Sequence, residues 1–526
     1  MTKALKTAVI LALILAVAGC ADNTTDKDNN TREQPDDITI GLKGGVFGYY
    51  PNITNYETTT MSMNSNIYEG LVSFDGEYSI TPNLAEGWEN PDDHTWRFHL
   101  RHGVTFHSGD AFDAHDVKFS IDHLLEDPDN VLYESVNNIE RVEVVDNDTV
   151  DIITEEPTPI LLNKLVDTYI ISKETHTVKK GGQPCHCGTG PYILDENETK
   201  EDTIVLKRYD DYWQGTPPLK EVTFKVISDD DERAEALKRG DIDLAEHLPV
   251  DKREELERTE GIEVLAAPST RVIFLGFDFR EEDSYAYPDG DNPTADVKVR
   301  KAIYHAIDEK AIIEEVMGGA AEPASQFLPP HIFGYNPDIE RLPYNQSKAR
   351  ELLNEAGYPE GFDIEFDCPT DRYVNDKEIC EAIAEDLSEV GVNATLNAQP
   401  KKEFFPKVLA RNTSFHLLGW AADTADGAEI FDYMLTTAGT QPGKGSVNLG
   451  YYSNPLVDEM GRRSSTTLDP EKRLTIMQEG FAIAMEDVAW VPLHLQSLLY
   501  GKASDVEWEP RADVKIALDD ISYDKG

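Results

Sequence analysis

The amino-acid sequence predicts a mixed α/β protein that folds into more than one lobe. Its 526 residues exceed the length at which a single hydrophobic core stops growing, so we expect two or three lobes. Hydrophobic residues make up 40% of the chain, which is enough for a packed protein and too many for a disordered one. Stretches with strand and helix periodicity alternate along the chain, and no repeat of fixed length occurs.

The N-terminus has the pattern of a lipoprotein signal peptide over residues 1–19. Lys3 and Lys6 precede the apolar run Ala8–Gly19, which is too short to span a membrane comfortably. The run ends in L-A-V-A-G-C, which resembles a lipobox, the motif whose cysteine receives a diacylglyceryl group. Cys20 is therefore the predicted site of lipid attachment. A plain signal peptide or an anchor helix is the alternative interpretation.

Residues 20–36 are predicted to form a disordered tether between this lipid and the folded body. They contain no apolar residue beyond Ala21, and such polar segments stay solvated. No later apolar run approaches the length of a membrane-spanning helix. The sequence thus predicts an extracytoplasmic protein that lipid anchors to the outer face of the cell membrane.

The first half of the chain contains short strands followed by capped helices. Asp37–Leu42 and Thr95–Leu100 alternate between apolar and polar residues, as strands do. Ala111–Leu125 has the spacing of an amphipathic helix. Glu232–Leu244 predicts a helix that ends at Gly240, followed by a strand.

A second α/β region is predicted from residue 270 to residue 490. It begins with the apolar run Val272–Phe277, which is typical of a strand buried on both faces. A long helix over Val299–Met317, a strand over Phe362–Phe366 and a helix over Glu378–Val390 follow. We expect residues 37–269 and 491–526 to form lobe I, and residues 270–490 to form lobe II.

The balance of charge excludes some partners. Acidic residues number 99 and basic residues 48, which gives a formal net charge of -51 spread along the whole chain. Such a field repels nucleic acid and anionic membranes. An even acidic coat favours a halophilic protein that is kept soluble in high salt. An acidic extracellular protein without that adaptation is the alternative.

Four cysteines remain once Cys20 is assigned to lipid. Cys368 and Cys380 lie twelve residues apart, where a predicted strand turns into a helix. A disulfide there would contribute about 3 kcal/mol to stability, and two free buried thiols are the alternative. Cys185 and Cys187 flank His186, and three interpretations stay open for them: ordinary loop residues, a labile disulfide, or a peripheral metal site.

Several phrases in the chain resemble family 5 of the extracytoplasmic solute-binding proteins, which serve peptide and nickel ABC importers. They occur in the order of that family from about Ile38 to the C-terminus and so cover essentially the whole mature chain. The phrases are Y-E-G-L-V-S-F-D (Tyr68–Asp75), the segment Trp96–Ser120, G-T-G-P-Y (Gly188–Tyr192), the segment Val299–Ile313, D-R-Y-V-N-D-K-E-I (Asp371–Ile379), L-L-G-W-A-A-D (Leu417–Asp423) and Y-Y-S-N-P-L-V-D (Tyr451–Asp458).

The resemblance implies a type II periplasmic-binding-protein-like fold. This fold has two α/β lobes joined by a hinge, with an extra subdomain on the first lobe, and the lobes close on the ligand. The protein would be a receptor that needs no cofactor, rather than an enzyme. Its partners would be a peptide or small solute, an ABC permease with its ATPase, and the membrane through lipid at Cys20. We expect a monomer.

The resemblance also indicates candidate ligand residues. An acid shortly after the L-L-G-W-A-A-D phrase binds the ligand amine in related dipeptide binders, so Asp423 and Asp426 are candidates, and Asp426 matches better. Trp420 stands where relatives line the cleft with an aromatic residue. Arg372 is the candidate for the ligand carboxylate, because a guanidinium forms bidentate pairs, and Arg271 is a second choice. The alternatives are a solvated loop acid, a core tryptophan, and an Arg372 side chain paired with a neighbouring aspartate.

Two other functions must be weighed. Relatives that bind nickel chelates use a histidine, and His416 lies at strand spacing from Trp420, although a lone histidine there is more often a core residue. Met61 and Met63 lie in a segment that lines the cleft in relatives and are equally good core residues. A secreted hydrolase is the less favoured class, since neither G-x-S-x-G nor H-E-x-x-H occurs in the sequence.

Overall fold

The computed structural model describes residues 36–50, 53, 57–177, 186–440 and 444–524. The predicted signal peptide, nearly all of the predicted tether, Cys20 and Cys185 lie outside these residues. Within them, no helix has the length and apolar composition needed to span a membrane.

The strands range in length from 2 to 16 residues. In chain order they begin with β1 (Asp37–Leu42), β2 (Val72–Phe74), β3 (Ile80–Pro82), β4 (Ala85–Asp92), β5 (Thr95–Leu100), β6 (Ile139–Asp146), β7 (Thr149–Thr154), β8 (Tyr192–Leu194), β9 (Thr203–Arg208) and β10 (Glu221–Val226). They continue with β11 (Leu244–Ala245), β12 (Ile262–Phe277), β13 (Ala321–Pro323), β14 (Phe362–Pro369), β15 (Val392–Gln399), β16 (Phe415–Ala421), β17 (Trp490–Ala503), β18 (Val506–Glu507) and β19 (Ser522–Tyr523).

The helices lie between these strands. The first seven are α1 (Thr58–Ser65), α2 (Ala114–Leu125), α3 (Tyr133–Val136), α4 (Leu161–Leu165), α5 (Lys173–Thr177), α6 (Asp230–Arg239) and α7 (Arg253–Glu257). The others are α8 (Val297–Ala306), α9 (Glu309–Ala311), α10 (Gln346–Glu355), α11 (Asp376–Ser388), α12 (Lys401–Leu409), α13 (Pro455–Ser464) and α14 (Pro470–Glu486). Short 3₁₀ helices cover Val250–Lys252, Pro293–Ala295 and Leu518–Asp520, and π-helical turns cover Ile312–Val316 and Ile430–Leu435.

Local sequence signals explain where several helices begin and end. Asp113 and Asp116 form a reciprocal capping box at the start of α2. Gly240 ends α6 in the left-handed conformation, with φ 71°, as the sequence predicts. The single long helix predicted over Val299–Met317 is wrong, because Ile307 is extended and the side chain of Asp308 caps a new helix.

One large sheet runs through most of the described chain. Its strand order is β15-β14-β16-β12-β17-β11-β1-β10-β9-β8, and β13 adds to β17. The long strands β12 and β17 pair antiparallel along most of their length, with an irregularity between Pro268 and Val272. They connect the strands of the first part of the chain to those of the second. The predicted boundary between residues 269 and 270 falls on this irregularity, and the lobe limits stay a prediction.

A second sheet, of order β4-β5-β7-β6, shares no strand with the large one. The large sheet is buried on both faces in its centre: every residue of β17 up to Lys502 is buried. Two large apolar clusters flank it, one dominated by the first part of the chain and one formed by residues between Ile273 and Leu493. This rigid central sheet positions the loops that emerge from its edge.

Candidate ligand-binding site

Three strands of the large sheet bring distant loops to one edge. β14 and β16 run parallel, with Asp367 opposite His416, so the loops that follow both strands lie at the same side. β12 runs antiparallel to β16, with Arg271 opposite Ala421, so its paired segment begins at that side. In open α/β sheets, ligands bind outside the carboxyl ends of parallel strands. A ligand site is therefore expected at the edge formed by these loops.

A cavity of about 320 Å³ lies at this edge. Most of its wall is apolar, with a few charged groups, which is the usual composition of a site for a small ligand. Four of the five predicted ligand residues line it: Arg271, Arg372, Trp420 and Asp423. The wall also includes Tyr373, Phe405, Val408, Leu409, Leu418, Gly419, Ala421, Val447 and Leu449.

Arg271 and Arg372 form the cationic side of the cavity. Their guanidinium carbons lie 5.9 Å and 5.5 Å from the centroid of the Tyr373 ring. Neither guanidinium donates a hydrogen bond or forms an ion pair with any residue that the structure describes. Burial, and then the charge of Arg372, lowers the pKa of Arg271. Two cations thus stand together without an ion pair to any described residue, although the charge of Asp423 also acts on Arg271.

The segment after β14 holds Arg372 in place through its backbone. The carboxylate of Asp376 accepts hydrogen bonds from the backbone N–H groups of Arg372 and Tyr373, at 2.9 Å and 3.0 Å. A disulfide between Cys368 and Cys380 closes the same segment. Asp376 therefore fixes the loop and leaves the guanidinium of Arg372 free to face the cavity.

Asp423 and Glu429 form the acidic side. The side chain of Asp423 is accessible from the cavity, yet desolvation by the surrounding protein raises its pKa, an effect that Arg271 opposes. Buried Glu429 accepts hydrogen bonds from Trp420 Nε1 at 3.0 Å and from Thr424 Oγ1 at 2.9 Å. Burial, and then the charge of Asp423, raises the pKa of Glu429 to about 8. Asp423 is thus the carboxylate that remains available to a cation.

Trp420 joins the two sides of the site. It lies opposite Val272 in the sheet and is half-buried, so one part of the indole lines the cavity. Its ring centroid lies 5.9 Å from that of Tyr433. The side chain therefore has a packing role as well as a surface that faces the cavity, and the two interpretations of Trp420 are compatible.

Asp426 does not line the cavity, although the sequence favours it over Asp423. It is 3% exposed, and its two oxygens accept hydrogen bonds from the guanidinium of Arg473 in α14, at 2.6 Å and 2.7 Å. The backbone N–H of Ala428 donates to it as well. An acid whose oxygens are occupied in this way is unavailable to a ligand amine.

His416 lies in the core rather than in the cavity. It is 2% exposed, and burial lowers its pKa to about 4. Its ring covers Gly276, where an added Cβ would come within 2.4 Å of Nε2. Among the described residues, no group of three or more metal-binding side chains could hold an ion. Met61 and Met63 are buried core residues too.

The G-T-G-P-Y phrase has a packing role. An added Cβ at Gly188 would lie 2.0 Å from the carbonyl oxygen of Ile67, and the backbone N–H of Gly190 donates to that oxygen. The glycines are thus required because two backbones approach each other closely there. Cys187 is disulfide-bonded, with its partner outside the described residues.

Sequence reasoning missed two residues of the site. Tyr373 follows Arg372 directly, and its aromatic ring beside an arginine was the available signal. Glu429 lies nine residues after Trp420, in a segment so rich in acids that no local feature distinguishes it. Only the hydrogen bonds of Glu429 to Trp420 and Thr424 connect it to the site.

The fold is of mixed α/β class, and the cavity lies beside the carboxyl ends of its parallel strands β14 and β16. The family model described as "Bacterial extracellular solute-binding proteins, family 5 Middle" matches residues 79–442. The chain belongs to this family. The resemblance found in the sequence phrases is therefore confirmed, and the protein is an extracytoplasmic solute-binding protein.

Three known proteins illustrate the similarity. The "Glutathione-binding protein GsiB" of Salmonella paratyphi A is 28% identical over 482 residues, which cover 89% of this chain and 91% of that protein. The structure of the periplasmic binding protein DppA from Helicobacter pylori with the peptide STSA has a TM-score of 0.73 at 22% identity, covering 93% of this chain and 98% of that chain. NikA from Brucella suis with Fe(III)-EDTA has a TM-score of 0.77 at 23% identity, covering 93% and 100%.

These structural matches confirm the predicted fold class. Both known structures align over nearly the whole chain, so the chain has the type II periplasmic-binding-protein fold. At these identities the match concerns the fold alone, and the choice of ligand must be argued from the cavity.

Proposed function

We propose that the protein is the receptor of an ABC importer and that it captures peptides in the cavity beside β14 and β16. One observation supports this most: the guanidinium groups of Arg271 and Arg372, which form no ion pair with any described residue, and the carboxylate of Asp423 line the same largely apolar cavity. A peptide carries the complementary groups, an ammonium and a carboxylate joined by a backbone. Glutathione, named in the curated relative, and STSA, bound to DppA, are both peptides.

Each lining residue receives a role in this proposal. Arg372 pairs with the terminal carboxylate of the peptide, since a guanidinium matches a carboxylate in bidentate geometry. Asp423 binds the terminal ammonium. Trp420 contacts the apolar part of the ligand. Asp426 has no ligand role, because Arg473 occupies its oxygens.

A thermal-shift screen of the purified protein tests the proposal. The panel comprises dipeptides, longer peptides, and nickel and iron chelates. A ligand at about 100 times its dissociation constant should stabilise the protein by roughly 2.7 kcal/mol. Stabilisation by peptides supports the proposal, and stabilisation by chelates alone would overturn it. Turnover of an ester or glycoside would contradict the proposal that the protein is a receptor rather than an enzyme.

A metal chelate is the second candidate, because NikA was solved with Fe(III)-EDTA and chelators carry carboxylates that guanidinium groups bind. The buried ring of His416 does not line the cavity, so a chelate would be held through its carboxylates and not through this histidine. Comparing free chelator with its nickel complex separates the two contributions. Equal binding of both would remove any role for the metal.

We also propose that lipid at Cys20 anchors the protein to the outer face of the cell membrane, where it delivers ligand to a permease and its ATPase as a monomer. A tethered receptor has a high effective concentration at its permease. Labelling with a radioactive fatty acid should depend on Cys20 and be absent in Cys20→Ser.

The signal peptide, the tether and the proposed adaptation to high salt rest on sequence alone. Size-exclusion chromatography in high salt tests the monomer.

A further inference from the structure

The two arginines of the cavity differ from all the others that the structure describes. Arg271 and Arg372 donate no hydrogen bond from the guanidinium, whereas every other described arginine donates at least one. This happens in a chain with 99 acidic residues, where an acceptor is rarely far away. Two such exceptions at one cavity indicate that the acceptors come from the ligand.

The position of the two cations shows how many acceptors are needed. Both guanidinium groups lie near the ring of Tyr373, and burial, followed by the charge of Arg372, lowers the pKa of Arg271. Once Asp423 binds the ligand ammonium, a single ligand carboxylate paired in bidentate geometry with one guanidinium would leave the other guanidinium without an anion in a desolvated site. Two carboxylates would neutralise both cations.

The opposite side of the cavity sets the remaining charge of the ligand. Asp423 is accessible and has no hydrogen bond or ion pair from its carboxylate to any residue in the described ranges. Glu429 keeps its proton near neutral pH, because its pKa is about 8, and so adds little negative charge. The cavity therefore offers one carboxylate for an ammonium and two guanidinium groups for carboxylates.

The size of the cavity matches a short ligand. Its volume of about 320 Å³ is roughly twice that of a 150 Å³ cavity that holds one benzene molecule. A chain of two or three amino-acid residues is of this scale. The apolar wall leaves few other places for a charged side chain.

We propose that the cavity selects short peptides that carry two carboxylates and one ammonium, with Arg372 on the terminal carboxylate and Arg271 on the second one. The proposal rests on the peptide function above and names the class of peptide. Arg271 thereby becomes a specificity-determining residue. The ligand has a net negative charge although the whole protein is strongly acidic, because nearby groups dominate the field inside a desolvated cavity.

Matched ligand pairs test the charge requirement by calorimetry on the purified protein. Ala-Glu and Ala-Gln have the same shape and differ by one carboxylate, and glutathione differs from its monoethyl ester in the same way. We expect the member of a pair with two carboxylates to bind about tenfold tighter or more. Equal or weaker binding of the members with two carboxylates, with peptides still bound, overturns this inference alone. If no peptide binds, the peptide function itself fails.

A variant then assigns the effect to Arg271. Arg271→Gln should reduce the preference for Ala-Glu over Ala-Gln to about twofold or less and change the affinity for Ala-Gln little. A residue with a purely structural role would weaken both ligands equally, and an unchanged preference would overturn the assignment. Arg258→Gln is the matched control, since it removes the same charge from a side chain that is 76% exposed and does not line the cavity. Thermal unfolding confirms that both variants fold.

Discussion

Two parts of the segment after β16 treat charge in opposite ways. At Asp426 the carboxylate is buried and paired with Arg473, whose Nε also donates to the backbone oxygen of Ser464. At Asp423, three residues earlier, the carboxylate faces a cavity that contains two arginines with no ion pair to any described residue. The first arrangement holds α14 to the loop, and the second leaves charges to be neutralised by something from outside.

The difference shows that the role of a charged residue depends on whether its partners lie within the chain. A buried ion pair with all its hydrogen bonds made stabilises one conformation of the loop. Charged groups left without partners in a cavity reduce stability, and natural proteins keep such groups mainly at functional sites. The following predictions test this comparison.

Removing the paired acid should have the largest effect. Asp426→Ala leaves the cation of Arg473 buried without an anion, and we expect a loss of about 3–5 kcal/mol in the free energy of unfolding. Asp423→Asn should change the same quantity by no more than about 1 kcal/mol. Urea denaturation measures both. The comparison is wrong if the two variants lose stability equally.

Breaking the disulfide should come next. The double variant Cys368→Ala and Cys380→Ala opens a loop of twelve residues, which should cost about 3 kcal/mol of stability. Because the same segment carries Arg372 and Tyr373, ligand affinity should fall too. Calorimetry and urea denaturation of the variant measure the two effects. A stability loss without any loss of affinity would show that Asp376 alone holds the loop.

Removing an arginine that has no partner should affect ligand binding and not the fold. Arg372→Gln should weaken peptide binding by about 1.5–3 kcal/mol, the range for hydrogen bonds to charged groups. Its free energy of unfolding should stay within about 0.5 kcal/mol of the parent. Arg473→Gln is the matched control. It should lower the free energy of unfolding, measured without ligand, and leave peptide affinity unchanged. Unchanged peptide affinity in Arg372→Gln would refute the assigned role.

The last effect is a dependence of stability on pH, which is modest over any single pH unit. The pKa of Glu429 is raised from 4.5 to about 8, so the folded state binds a proton that the unfolded state releases earlier. This contribution is present below about pH 4.5 and is lost as pH rises through 8, at up to about 1.4 kcal/mol for each pH unit. In Glu429→Gln this part of the slope should disappear. Urea denaturation between pH 5 and pH 9 compares the two proteins, and parallel slopes would contradict the prediction.

How well the sequence predicted a feature depended on how local the residues that determine this feature are in the chain. The end of α6 at Gly240 was predicted because the signal is local. The break at Ile307 was missed, since the helical periodicity on both sides of Asp308 hides a capping residue. The candidates for the cavity came from family phrases, and four of the five line it. Their roles in binding remain predictions.

The sequence by itself determined the features that depend on neighbours along the chain: the acidic composition, the predicted site of lipid attachment, the alternation of strands and helices, and the family. Tertiary structure decided which charges are paired. Asp426 finds Arg473 at a separation of 47 residues, while Arg271 and Arg372 meet over one tyrosine ring although 101 positions separate their numbers. Pairing and desolvation act through space, so two aspartates that look equivalent in sequence acquire opposite roles only when the chain is folded.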